Sequence, residues 1–131
     1  MSQENVELIR RVYAAMSAGN ASAVIESVDT NVEWVPDRRV GATPIRGRES
    51  VLEFFTDRAS MFSQIEYEIE ESWQQDDRVL VFLRVTGRGA ASGAGFDIRI
   101  AHLWTLREGM LVRGEGYGDR GEALEAVRLR A

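Results

Sequence analysis

A chain of 131 residues with no cysteine and one histidine is expected to fold as a single domain over 1–131, without disulfides, thiolate metal sites or a multi-histidine metal centre. A formal charge of −5 disfavours nucleic acid as a partner, and the sixteen basic residues are all arginine, which excludes a lysine Schiff base. No apolar run reaches signal-peptide or membrane-spanning length, so the expectation is a soluble cytoplasmic protein with no membrane contact, no metal and no cofactor.

Residues 3–18 carry Val6, Ile9, Val12, Tyr13 and Met16 at helical spacing, with Glu7, Arg10 and Arg11 opposite. Ser2 suits the cap of this helix and Gly19 its left-handed stop. Asn20 then caps a short second helix that turns Val24, Ile25 and Val28 inward, and Thr30–Val35 reads as a short strand. Residues 36–47 hold two prolines, two glycines and three arginines without periodicity, which predicts a loop that either borders a site or is simply an exposed connection. A third helix over 48–62 presents Val51, Leu52, Phe55, Ala59 and Phe62 on one stripe.

Alternating strands follow. Ile65, Tyr67, Ile69, Glu71 and Trp73 share one parity against a glutamate-rich other. In the next strand Val79, Val81, Leu83 and Val85 oppose Leu80, Phe82, Arg84 and Thr86, so both faces need cover. Gly87–Gly95 is a hairpin connection; a phosphate-cradling reading fails because no helix follows it. Phe96, Ile98, Ile100, His102, Trp104 and Leu106 point to one face of the following strand, which turns back at Arg107-Glu108-Gly109. Gly114, Gly116 and Gly118 then share a parity, marking either cavity volume or a sharply bent sheet. Asp119 and Glu122 form a capping box ahead of Ala123, Leu124, Val127 and Leu129.

This order is α+β. Together NASAVIESVDTNVEW (20–34), IRGRESVLEFF (45–55) and HLWTLREGMLVRGEGYGD (102–119) resemble the SnoaL-like branch of the nuclear transport factor 2-like superfamily. The resemblance implies a cone: a curved antiparallel β-sheet wrapped by N-terminal helices around an internal cavity. It also implies a homodimer through the outer sheet face, which would cover Val79–Val85. It does not supply a reaction. The carboxylate base of ketosteroid isomerases falls at Trp34, their helix-one tyrosine at Val12 beside Tyr13, and their second carboxylate at His102. The arginine of limonene epoxide hydrolases falls at Arg84, but their carboxylates fall at Thr86 and Gly116. An imidazole can still serve the acid/base step of a SnoaL-type cyclase.

If His102 faces inward, Phe82 and Arg84 are expected beside it. His102 is then either a hydrogen-bonded core residue or the polar point of a pocket, and Arg84 either pairs with Glu71 or binds an anion. The candidate catalytic residues are His102 and Arg84. The candidate ligand contacts are Tyr13, Trp34, Phe55, Glu71, Trp73, Phe82, Trp104 and Gly116, which together favour a flat hydrophobic small molecule. Three functions stand: a binding domain with cyclase-, isomerase- or hydrolase-type acid/base chemistry on an apolar carbonyl compound, a non-catalytic ligand binder, and a dimeric association module.

Overall fold

The structure, a computed structural model, describes residues 2–37 and 43–130, with the side chains of Ser2, Leu129 and Arg130 excepted. The Ser2 cap, the inward Leu129 and the loop arginines Arg38 and Arg39 lie outside the described residues. Helix α1 (Ser2–Ala18) buries Leu8, Ile9, Val12, Tyr13 and Ala15 and exposes Glu7, Arg10 and Arg11. Each fully buried aliphatic side chain on that face contributes about 1.5–3 kcal/mol, so the stripe rather than intrinsic propensity holds the helix in place. Gly19 ends it at φ +70°, a conformation that strains any residue with a Cβ.

Asn20 Oδ1 accepts the Ala23 N–H at 3.2 Å and caps α2 (Ala21–Ile25). This helix is shorter than expected, because Val28 already pairs with Leu111 in the sheet; Ile25 is exposed rather than inward. Strand β1 (Val28–Val35) therefore starts two residues early. Within the expected loop, β2 (Ile45–Arg46) adds antiparallel to β1. Helix α3 (Arg48–Ser60) buries Val51 and half-buries Leu52, Phe54 and Phe55, while Ala59 is exposed.

Four long strands complete the sheet: β3 (Phe62–Gln75), β4 (Arg78–Gly89), β5 (Gly95–Arg107) and β6 (Met110–Tyr117). The order is β2-β1-β6-β5-β4-β3. The sheet is mixed rather than purely antiparallel: β3 to β6 run as an antiparallel meander, but β1 lies parallel to β6. Glu108 and Gly109, both at positive φ, make the two-residue turn between β5 and β6. Register shifts in β3 at Phe62/Gln64 and Ile69/Glu71, and in β6 at Val112 opposite Thr105/Leu106, are bulges that curl the sheet into the expected cone. Helix α4 (Arg120–Arg130) begins at Asp119, whose carboxylate accepts the N–H groups of Gly121 at 2.6 Å and Glu122 at 3.2 Å.

The two faces of the sheet bury different cores. Val79, Val81, Leu83 and Val85 join Ile9, Val12, Tyr13, Trp34, Val51 and Trp104 on the inner face, beneath α1 and α3. Leu80 and Phe82 join Ala101, Leu103 and Ala123 on the outer face, beneath α4. The cover expected from a second copy over Val79–Val85 is thus supplied to that row by the chain's own N-terminal helices. On the outer face α4 contributes Ala123 and Val127, leaving Leu124 44 % exposed.

Candidate functional site

Register decides which predicted residues meet. His102 pairs across to Val81 of β4 and Gly116 of β6, and Trp104 to Val79 and Gly114. The neighbours of His102 on β4 are therefore the odd-numbered valines and Leu83, and the expectation that Phe82 and Arg84 flank it is corrected. Both point to the outer face: Phe82 lies under the Arg120 guanidinium, 4.2 Å from its ring centre. Arg84 makes a two-point pair with Asp97, Nε to Oδ1 at 3.0 Å and Nη2 to Oδ2 at 2.7 Å. Asp97, not the expected Glu71, is its partner, and that hydrogen-bonded pairing holds the Asp97 carboxyl below its ordinary range.

Glu71 and Trp73 are displaced for a different reason. The bulge between Ile69 and Glu71 inserts one residue, so from Glu71 onward β3 presents its other parity to the core. Ser72 and Gln74 turn inward; Glu71 and Trp73 turn outward, with Trp73 57 % exposed and its indole N–H donated to Glu71. Neither lines the cavity.

What remains inside is compact. His102, 5 % exposed, lies against the hydroxyl of Tyr13, with Nδ1 2.6 Å from the oxygen. Trp104 Nε1–H donates to the same hydroxyl at 2.7 Å. An indole can only donate, so the Tyr13 oxygen accepts from Trp104; the buried hydroxyl has no acceptor other than His102 Nδ1 among the described residues, and its one hydrogen goes there. That assignment makes Nδ1 the acceptor and places the imidazole proton on Nε2. Nε2 has no hydrogen-bond partner among the described residues. Burial, with the positive charge of Arg58 adding to it, lowers the His102 pKa from 6.5 to about 3, so the ring is neutral at ordinary pH. Burial likewise pushes the Tyr13 phenol up, against the hydrogen bond from Trp104, so it stays protonated and keeps donating.

Trp34 stands edge-on to this ring, 4.9 Å between centres at 80°, and also meets Phe55 at 4.9 Å and Trp104 at 5.4 Å. Its indole N–H is buried without an acceptor, a second donor beside the imidazole. The β6 glycines make room for these rings. A Cβ on Gly114 would lie 2.5 Å from Trp104 Cζ3 and 2.6 Å from Trp34 Cε3, and one on Gly116 would lie 3.1 Å from Trp34 Cζ2. Gly114 thus serves close packing, while Gly116 both packs and forms cavity wall.

The cavity encloses about 580 Å³ and is walled on one side by His102, Trp34, Gly116, Ile98 and Ile100, on the other by Phe54, Phe55, Ile65 and Tyr67. Of the predicted contacts, Trp34, Phe55, Gly116 and His102 line it. Tyr13 stands behind His102, and Trp104 belongs to a separate apolar recess of about 200 Å³ beneath α1 and α3. Sequence reasoning missed Tyr67, Phe96, Arg58 and Asp37, which also wall the cavity. Tyr67 was recoverable from its shared parity with Ile65. Asp37 was not: it sits in an aperiodic loop and reaches the site by accepting the Gly118 N–H. Among the described residues, no group of three or more histidines, cysteines or carboxylates is placed to hold a metal.

Comparison with solved structures matches more than nine-tenths of the chain to one fold. TerC, co-crystallised with polyporic acid, is 23% identical with a TM-score of 0.79 over 95% of this chain and 98% of that one. A candidate SnoaL-like polyketide cyclase from Jannaschia sp. CCS1 is 20% identical, TM-score 0.81, over 95% and 92%. A protein of ketosteroid isomerase-like fold from Catenulispora acidiphila, in complex with trimethylamine, is 17% identical, TM-score 0.76, over 91% and 90%. Comparison with curated proteins finds no match. The model of the SnoaL-like domain matches residues 9–114, from the buried face of α1 to the glycine beneath Trp34, and the chain belongs to that family.

Proposed function

We propose that the His102 cavity binds a hydrophobic, carbonyl-bearing small molecule, whose carbonyl oxygen accepts a hydrogen bond from His102 Nε2–H. The observation that carries this reading is the Trp104–Tyr13–His102 chain, which leaves His102 Nε2–H without a partner among the described residues, facing an apolar cavity. A neutral imidazole with a pKa near 3 is a poor general base at neutral pH but a serviceable electrophile. The chemistry it supports is polarisation of a carbonyl, which acidifies the neighbouring C–H; Asp37, on the same wall, is the carboxylate that would take the proton. That is isomerase- or cyclase-type acid/base chemistry. The non-catalytic alternative is the same complex without proton removal.

Isothermal titration with 2-acetylnaphthalene and its carbonyl-free analogue 2-ethylnaphthalene tests the binding step. The ketone is expected to bind about tenfold more tightly, the worth of one net hydrogen bond, and the preference to vanish in His102→Ala. Equal affinities in the wild type defeat the proposal. Deuterium exchange at the acetyl carbon, followed by NMR, separates the two versions: exchange above the solvent rate supports catalysis, and binding without it supports a carrier.

A homodimer through the outer sheet face now draws support from different residues: exposed Trp73 and Leu124 beside Leu80, Leu103 and Val127. Sedimentation of wild type against Trp73→Glu is expected to show a dimer that dissociates in the variant; a monomeric wild type removes it.

A further inference from the structure

Among the described residues, Arg58 is a charged group on the cavity wall whose charge no carboxylate matches. Arg58 stands in the last turn of α3, its guanidinium carbon 5.3 Å from the centre of the Phe54 ring, and both residues wall the cavity. Among the described residues it has no carboxylate partner. The other charged groups on the wall are engaged: Arg99 pairs with Glu70 at 3.1 Å, and Asp37 accepts the Gly118 N–H. The position of Arg58 at the C-terminal end of α3 explains why a cation is tolerated there, and the Phe54 ring holds its plane. Neither neutralises it. Its charge reaches inward as well, since it opposes protonation of His102 and favours ionisation of Tyr67. A cation bordering low-dielectric walls attracts an anion more strongly than one on an open surface.

We propose that Arg58 is an anion subsite of this cavity, and that the ligand is a flat apolar molecule bearing, besides the carbonyl held by His102, a second oxygen that is ionised: a carboxylate or an acidic enol. This rests on the His102–carbonyl reading for one end of the ligand only. Arg58 is exposed, so its replacement leaves the core intact. The aromatic walls supply affinity without direction, His102 fixes one oxygen, and Arg58 selects which molecules with such an oxygen are held, drawing them in by charge before the rings pack.

Three matched probes separate the two ends: 6-acetyl-2-naphthoate, its methyl ester, and 6-ethyl-2-naphthoate. Titration calorimetry on the full chain at low and high salt is expected to give at least tenfold tighter binding of 6-acetyl-2-naphthoate than of its ester, shrinking as salt rises. Arg58→Met is expected to abolish the acid-over-ester preference and Arg58→Lys to retain part of it. Both should keep the preference for acetyl over ethyl, which His102→Ala removes. Equal binding of acid and ester by wild type, or an acid preference that survives Arg58→Met, overturns the subsite while leaving the carbonyl reading standing. Loss of the acetyl preference alone overturns the carbonyl reading instead, and binding of none of the three overturns both.

Discussion

His102 and Arg84 stand on neighbouring strands of one sheet, and before the fold is known they look like partners in one site. They differ in almost every physical respect. His102 is on the inner face, buried, neutral, and held by a hydroxyl that is itself held by an indole. Arg84 is on the outer face, about 40% exposed, charged, and matched to a carboxylate that water also reaches. The inner arrangement is costly to disturb, because each group lost strands another that is buried. The outer one is cheap to disturb, because solvent replaces whatever is removed. A polar residue in a strand therefore says little about function until its face is known.

Acid should separate the two regions most. His102 has a folded pKa of about 3 against 6.5 for a free imidazole, so as pH falls the unfolded chain takes the proton first. The stability linked to this group is complete above about pH 6.5 and declines towards pH 3, with a slope approaching about 1.4 kcal/mol per pH unit. Urea unfolding at pH 7, 5 and 4 should show wild type losing more stability than His102→Gln; parallel losses would mean the imidazole is not buried as described.

Cutting the chain in its middle comes next. Tyr13→Phe keeps the ring but strands the Trp104 N–H and His102 Nδ1, two buried groups, at a cost of about 2–4 kcal/mol. It also frees the imidazole tautomer. Nitrogen-15 NMR of the ring should show the Nε2–H form alone in wild type and a mixture in the variant; an unchanged tautomer would deny Tyr13 its positioning role. The smallest effect belongs to the outer face. Arg84→Met should leave the unfolding midpoint and ligand affinity where they are, and a double-mutant cycle with Asp97→Asn should show negligible coupling. Loss of ligand binding in Arg84→Met would reinstate Arg84 as a site residue and collapse the contrast.

Much was legible because periodicity is local. The α1 stripe, the Gly19 stop, the Asn20 and Asp119 caps, the turn at Glu108-Gly109 and the inward row from Phe96 to Leu106 all follow from residues within a few positions of one another. The failures share one cause. Which parity of β4 lies beside His102 depends on the pairing across the Ala90–Ala94 turn, and a shift of one residue exchanges the faces. A signal was there to be read: Arg84 and Asp97 occupy the parities opposite to the apolar rows, and opposite charges tend to pair across strands. The bulge near Glu70 left less trace, because Glu71 and Trp73 continue the alternation of Ile65, Tyr67 and Ile69 without a break.

The sequence by itself determined the α+β class, the end of α1, the starts of α2, α3 and α4, and the presence of one imidazole in an apolar row, since each is settled by neighbours along the chain. Only the tertiary structure decided that Tyr13 and Trp104 set the proton on that imidazole, that Arg84, Phe82, Glu71 and Trp73 stand away from the cavity, and that Asp37 and Arg58 line it. Those outcomes turn on strand register, one inserted residue and a loop's return to β6, which are contacts between residues far apart in the chain and leave no period to read.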